Sequence, residues 1–151
     1  MNAFDGAVRG VLAGAAGTAM LNAVTYADMT IRDRPASELP GKMVDKLAQE
    51  LHAPKPAGNR RQGLGAMLGY LDGFGSGVLY GMLRPRMRAV PWSVAAVALA
   101  AFTMAASEGS AAAIKQTDPK QWSAADWIAD IVPRLVYGAV TAYAFDILAR
   151  E

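Results

Sequence analysis

With 151 residues, 53% of them apolar and only 19% charged, the chain has room for one domain and carries less charge than the roughly 25% typical of soluble domains. A net charge of +2 argues against a nucleic-acid partner, and a chain with no cysteine and one histidine is a poor candidate for a zinc or haem site. We therefore expect one integral membrane domain over residues 1–151, multi-pass in the cell (inner) membrane, without metal or cofactor.

The first predicted membrane helix covers residues 6–30 and has a stripe of small or polar side chains. These residues recur at every fourth position: Gly6, Gly10, Gly14, Thr18 and Asn22. Such a spacing places them on one face of a helix, where another helix can approach closely inside a membrane. Near the start of the helix we expect Arg9 to extend its charge to the interface, paired with Asp5.

Residues 31–62 form the predicted polar loop, which has prolines at positions 35, 40, 54 and 56. Between Gly41 and His52 the apolar residues share one helical face, and they are Met43, Val44, Leu47 and Leu51. We expect a short amphipathic helix here, lying on the membrane surface or against the other helices. Docking to a partner is the less favoured alternative.

The second predicted membrane helix, residues 63–83, is the richest in glycine. Five glycines follow one another at every fourth position, namely Gly65, Gly69, Gly73, Gly77 and Gly81. In water each would cost about 0.5–1 kcal/mol relative to alanine, but a bilayer enforces helix because the backbone has no other hydrogen-bond partners. Two glycine stripes on consecutive helices predict a glycine zipper between them; short runs of this kind also arise by chance.

Asp72 lies near the middle of that glycine-rich helix. A carboxylate at that depth costs at least ~2.5–3.5 kcal/mol on insertion scales, so we expect it to face protein or water. It is either a functional group or a structural one, ion-paired or neutral and hydrogen-bonded. Arg134 of the last helix is a candidate partner across the bundle.

The third and fourth predicted membrane helices cover residues 92–114 and 124–149. Glu108 lies seven residues before Lys115, too far along the helix for a direct pair, so it needs another partner. Ser123, with Asp126 three residues later, predicts a capping box at the start of the fourth helix. Asp130 and Arg134 are spaced to pair along that helix.

The predicted fold is thus an all-α bundle of four transmembrane helices with an amphipathic helix in the first loop. Both termini then share one side of the membrane. The orientation stays open, because the long loop and the third loop hold nine Lys or Arg against five on the opposite side, whereas the shortest loop holds three arginines without an acid.

Three segments carry a resemblance: GAAGTAMLNAVTYADMTIRDRPAS, the glycine-rich helix ending in YGMLRP, and DWIADIVPRLVYGAVTA. In overall pattern they resemble a group of uncharacterised small multi-pass membrane proteins common in actinobacteria. The resemblance implies a multi-pass membrane protein from such a bacterium, and it implies no particular activity or site.

The lack of catalytic groupings favours a non-enzymatic protein that acts by helix association, as a homo-oligomer or as an accessory subunit of a membrane complex. Use of both glycine stripes inside the chain would weaken self-association. The alternative is a small transporter or channel with a polar path inside the membrane. Its polar candidates are Asp72, Arg134, Asp130, Glu108 and Arg9. A nucleotide-binding glycine loop follows a β-strand, and no strand is predicted before the glycines near Phe74, so nucleotide binding is not expected.

Overall fold

The computed structural model describes residues 2–87, 89–113 and 119–150. All regular structure within these residues is helical, so the predicted all-α class is confirmed. Five α-helices follow one another: α1 (Ala3–Arg32), α2 (Leu39–Glu50), α3 (Gly58–Leu83), α4 (Trp92–Ala113) and α5 (Ala124–Leu148). Short 3-10 turns cover Arg84–Met87 and Pro119–Gln121. The predicted end of the third membrane helix, residue 114, lies outside the described residues.

Three of these helices are long and apolar enough to cross a membrane: α1, residues Trp92–Gly109 of α4, and α5. The chain is therefore a helical, multi-pass membrane protein. α3 is not among the three, although its 26 residues make it about 39 Å long at 1.5 Å per residue. Its glycines, its tyrosines and Asp72 dilute the apolar residues and lower its mean hydropathy.

Local sequence signals set the helix ends. The side chain of Asn2 caps α1 by accepting a hydrogen bond of 2.8 Å from the backbone N–H of Asp5. At the start of α5 the predicted capping box is confirmed, because Ser123 and Asp126 each accept a bond from the other's backbone. The start predicted for the second membrane helix, residue 63, is too late. α3 begins at Gly58, so the polar loop ends before it and Arg61 belongs to the helix.

Glycines bring α1 and α3 into backbone contact in an antiparallel register. Gly6 lies against Gly81, Gly10 against Gly77, and Gly14 against Gly73. A Cβ on Gly14 would lie 2.8 Å from the carbonyl oxygen of Gly73, closer than real Cβ contacts. The remaining glycines of the α3 stripe face elsewhere. Gly65 contacts Pro40 of α2, and a Cβ added to Gly69 would meet no atom within 4 Å.

The other helix pairs complete a four-membered ring. α1 also packs along α5, α5 packs along α4, and the lightest packing in the ring is between α3 and α4. Gly138 of α5 approaches the backbone of Ala96 on α4 as closely as the glycines of α1 and α3 approach each other. In the core, the rings of Tyr80 and Phe145 meet edge to face with centroids 5.5 Å apart.

α2 docks on α3 through small residues and one ion pair. Val44 and Ala48 are buried, and Arg61 of α3 bonds the carboxylate of Asp45 with an N···O distance of 2.9 Å. Of the predicted apolar face, Val44 is buried against α3, whereas Leu47 and Leu51 are exposed, so whether α2 also lies on the membrane surface stays a prediction.

Candidate functional site: a polar cavity between the helices

A cavity of about 600 Å³ lies between the helices on the side of the long loop. α1, α3, α4 and α5 form its walls, and the loop before α2 together with the start of α2 forms its mouth. Its floor is at Gly73 and Tyr137; beyond them Tyr80 and Phe145 fill the core. The cavity therefore enters the bundle from one end and is closed at the other end by aromatic side chains.

Four charged side chains line the inner part of the cavity: Asp72, Glu108, Asp130 and Arg134. Arg134 lies ten residues into α5, about 15 Å along the helix from its start at 1.5 Å per residue. If the helices span a bilayer with a hydrocarbon core of about 30 Å, this group lies near the middle of the membrane.

Arg134 uses most of its hydrogen-bonding capacity on neighbouring groups. Its Nε donates to both oxygens of Asp130 at 3.0 Å, which is the pair predicted along α5. Nη1 donates to the backbone carbonyl of Thr103 at 3.2 Å. Nη2 donates to Ser107 Oγ at 2.9 Å and to Glu108 Oε1 at 3.2 Å. The guanidinium thus ties α5 to α4 and is neutralised by two carboxylates.

Glu108 is the partner that the sequence alone could not identify for Arg134. Its carboxylate is almost fully buried, with the residue 8% exposed, and only Oε1 reaches the guanidinium. Within the described part of the chain, Oε2 has no hydrogen-bond partner. A buried carboxylate oxygen without a donor is costly, so this atom is a candidate contact for a ligand.

Asp72 lies on α3, across the cavity from this network. The sequence-based suggestion that Arg134 pairs with it is wrong, because the described residues make no hydrogen bond or ion pair with the Asp72 carboxylate and Arg134 turns to Asp130 and Glu108. Asp72 therefore presents a carboxylate to the cavity without a bonded cation.

Arg9 takes no part in the cavity. It lies at the opposite end of the bundle, where Nη1 donates to the backbone carbonyl of Leu148. The sequence had predicted a pair with Asp5 instead. A carbonyl at the end of α5 has no partner within its own helix, which explains the attraction of a cation. Near the same end Arg84 bridges to Asp146 at 3.3 Å, outside the cavity lining.

The hydroxyl-bearing residues around the charges were missed by the sequence reasoning. Thr103 and Ser107 are four residues apart on α4; Arg134 donates to the Ser107 hydroxyl and to the backbone carbonyl of Thr103, whose own hydroxyl donates to the carbonyl of Ala100. Tyr137 donates a hydrogen bond of 2.5 Å to the carbonyl of Gly73 and joins α5 to α3 at the cavity floor. For Thr103 and Ser107 the sequence offered one signal, a row of hydroxyl side chains and one acid in the most apolar helix. For Tyr137 it offered no comparable signal.

The outer end of the cavity is bounded by charged groups of both signs. Arg34 bonds the carboxylate of Asp28 at 3.0 Å, and Lys42 lies 3.7 Å from Glu38. Outside the spanning helices, the Arg61 guanidinium holds the pKa of Asp45 below its ordinary value, mainly through the hydrogen bond between them. At the mouth, Arg34 and Lys42 are balanced in charge by Glu38 and Asp126, whereas the inner cavity keeps an excess of carboxylates.

No family model, no curated protein and no solved structure matches this chain. The geometry therefore defines the class of protein by itself: a helical membrane protein with a polar, partly charged cavity that enters its helices from one end.

Proposed function

We propose that this protein carries a small polar solute across the membrane through the cavity described above. The observation that supports the proposal most directly is Asp72, an exposed carboxylate that lines a cavity of about 600 Å³ among candidate membrane spans and has no bonded partner among the described residues. Ionisable groups at such a depth are costly, and in membrane proteins they commonly mark ion or substrate pathways. A volume in the range of about 300–1,000 Å³ suits a small-molecule site.

The proposal includes α3 as a fourth membrane span. Its length is sufficient, and its glycines leave backbone atoms of α1 and α3 in contact along Gly73, Gly77 and Gly81. Such contact suits helices that associate in lipid, where close packing replaces the hydrophobic effect as the driving force. In this arrangement the cavity mouth and both loops beside it share one side of the membrane.

Single cysteines test the fourth span, since the chain contains none of its own. Ala53→Cys before α3 and Ala89→Cys after it are both at exposed positions. A membrane-impermeant maleimide added to one side of intact vesicles should label one variant and spare the other. Labelling of both from the same side would contradict the span.

The transport proposal is tested in liposomes that contain purified protein. Uptake of radiolabelled guanidinium, erythritol and methanesulfonate would be followed, so that one cation, one neutral solute and one anion are compared. We expect protein-dependent uptake of at least one of them, abolished in Asp72→Asn and retained in Asp5→Asn, which removes an exposed carboxylate far from the cavity. Uptake no faster than in protein-free liposomes for all three would refute transport.

Association with a second copy, or with another membrane protein, is the second candidate. Most glycines of the two stripes that first favoured it contact other helices of the same chain, and among them Gly69 alone has no atom of the described residues within 4 Å of an added Cβ. What favours it now is the light packing between α3 and α4, which leaves that side of the ring open to a neighbouring helix. Native mass spectrometry from mild detergent should then detect dimers or larger assemblies, and a strict monomer would count against this candidate.

A further inference from the structure

The charges of the inner cavity do not balance. Among the described residues, three carboxylates, those of Asp72, Glu108 and Asp130, line the same space as a single guanidinium, that of Arg134. With all four groups ionised, the inner cavity carries a net charge of about −2, which favours a ligand of opposite charge. A bound cation would reduce this imbalance, whereas a bound anion would increase it.

Arg134 is poorly placed to bind an anion. A guanidinium has five N–H donors in a fixed planar arrangement. Four of its interactions are already made within the chain, to Asp130, Thr103, Ser107 and Glu108. One N–H of Nη1 is left over, but the carboxylates of Asp130 and Glu108 beside the guanidinium would repel an approaching anion.

Two carboxylate groups of the cavity have an oxygen that lacks a hydrogen-bond donor among the described residues. Asp72 has no bonded partner among the described residues, and the buried Oε2 of Glu108 lacks a donor as well. A carboxylate oxygen only accepts hydrogen bonds, so each of these atoms calls for a ligand that donates. Ammonium and guanidinium groups donate several hydrogen bonds and bring the opposite charge.

The rest of the lining suits an organic cation. Tyr26, Tyr70 and Tyr137 contribute aromatic rings to the cavity wall, and aromatic faces attract ammonium and guanidinium groups. Among the described residues no group of three acidic or histidine side chains is placed to hold a metal ion. The volume of about 600 Å³ also exceeds what a single bare ion requires.

From these observations we infer that the cavity binds a small organic cation, an ammonium or guanidinium compound, between Asp72 and the free oxygen of Glu108. The inference rests on the proposed function, because it names the class of solute for the same cavity. Arg134 of α5 is then a positioning residue, because it holds the Glu108 side chain of α4 in place. Asp72 is the carboxylate of α3 that contacts the ligand.

Equilibrium binding tests the inference without requiring transport. The protein in nanodiscs of zwitterionic lipid would be titrated by calorimetry with benzylammonium, benzyl alcohol and benzoate, which have similar size and differ in charge. We expect saturable binding of benzylammonium only. It should weaken by about tenfold or more in Asp72→Asn and in Glu108→Gln, since each loses a charged hydrogen-bond acceptor, and stay unchanged in Asp5→Asn.

Three results would overturn the inference: benzoate or benzyl alcohol binding as tightly as benzylammonium, no saturable binding of benzylammonium, or unchanged affinity in both cavity variants. The comparison of the three ligands uses the natural chain and so holds even if a variant fails to fold. Uptake of erythritol or methanesulfonate without cation binding would refute the inference and leave transport standing. Cation binding without any uptake would refute transport and leave the inference standing.

Discussion

The close contact of α1 with α3 makes a sharp prediction about glycine substitutions on one helix. In Gly77→Ala the new methyl group would lie 2.7 Å from the Cα of Gly14 and closer still to the carbonyl oxygen of Gly10. Both are backbone atoms, so no side chain can move away, and the two helices must separate. Gly75→Ala, two residues earlier on the same helix, meets no atom within 4 Å and is the matched control.

The difference between these variants isolates the steric effect. Each replacement gains the same helix-forming advantage of alanine, about 0.5–1 kcal/mol, and this gain cancels in the comparison. Forcing an extra methyl group into a packed interface typically costs about 1–3 kcal/mol. We therefore expect Gly77→Ala to be less stable than Gly75→Ala by about 1–3 kcal/mol.

The free energy of unfolding would be measured by titrating the purified proteins in mixed micelles with sodium dodecyl sulfate, following circular dichroism. The natural chain and both variants would be compared at the same lipid-to-detergent ratio. Equal stability of the two variants, within about 0.5 kcal/mol, would refute the reasoning, because the interface would then tolerate a methyl group that the structure has no room for. It would mean that α1 and α3 are not in backbone contact.

Three further predictions concern polar contacts. Arg134→Gln leaves two partly buried carboxylates without their cation and should destabilise the protein by about 3–5 kcal/mol in the same titration, whereas a loss below about 1 kcal/mol would contradict the network. Tyr137→Phe removes the hydrogen bond to Gly73 and should cost about 0.5–1.5 kcal/mol, with unchanged stability as the contrary result. Because Arg61 lowers the pKa of Asp45, docking of α2 is favoured above the ordinary pKa of 3.8 and is lost as the pH falls through the lowered value. Proteolysis of α2 should rise there in the natural chain, and Asp45→Asn should remove this pH dependence; an identical profile in both would refute it.

The sequence predicted those parts of the fold that depend on neighbours along the chain. Apolar runs and four-residue spacing indicated the long helices, and the capping box at Ser123 was confirmed because its two partners are only three residues apart. The early start of α3 was not predictable in this way. Residues 58–62 read as polar loop, and Arg61 becomes helical in the structure where it meets Asp45, sixteen positions away in the chain.

The cavity was predicted only in part. Asp72, Glu108, Asp130 and Arg134 stood out as charges within apolar surroundings, and the pair along α5 followed from its four-residue spacing. The bond between Glu108 and Arg134 joins positions 26 apart in the chain, on two helices whose relative rotation the sequence does not specify. Which carboxylate is left unpaired depends on that rotation, so the state of Asp72 emerged only from the packed structure.

The uneven packing around the ring has a mechanical consequence. α1 is held on both sides, by glycine contacts with α3 and by the approach of its Gly17 to Tyr137 and Thr141 of α5. Displacing α1 would therefore break its contacts with both α3 and α5 at once, so α1 is the most firmly packed helix of the ring. α3 and α4 touch least, and Asp72 and Glu108 sit on these two helices. The distance between these two carboxylates therefore depends on the helix pair that packs least in the ring.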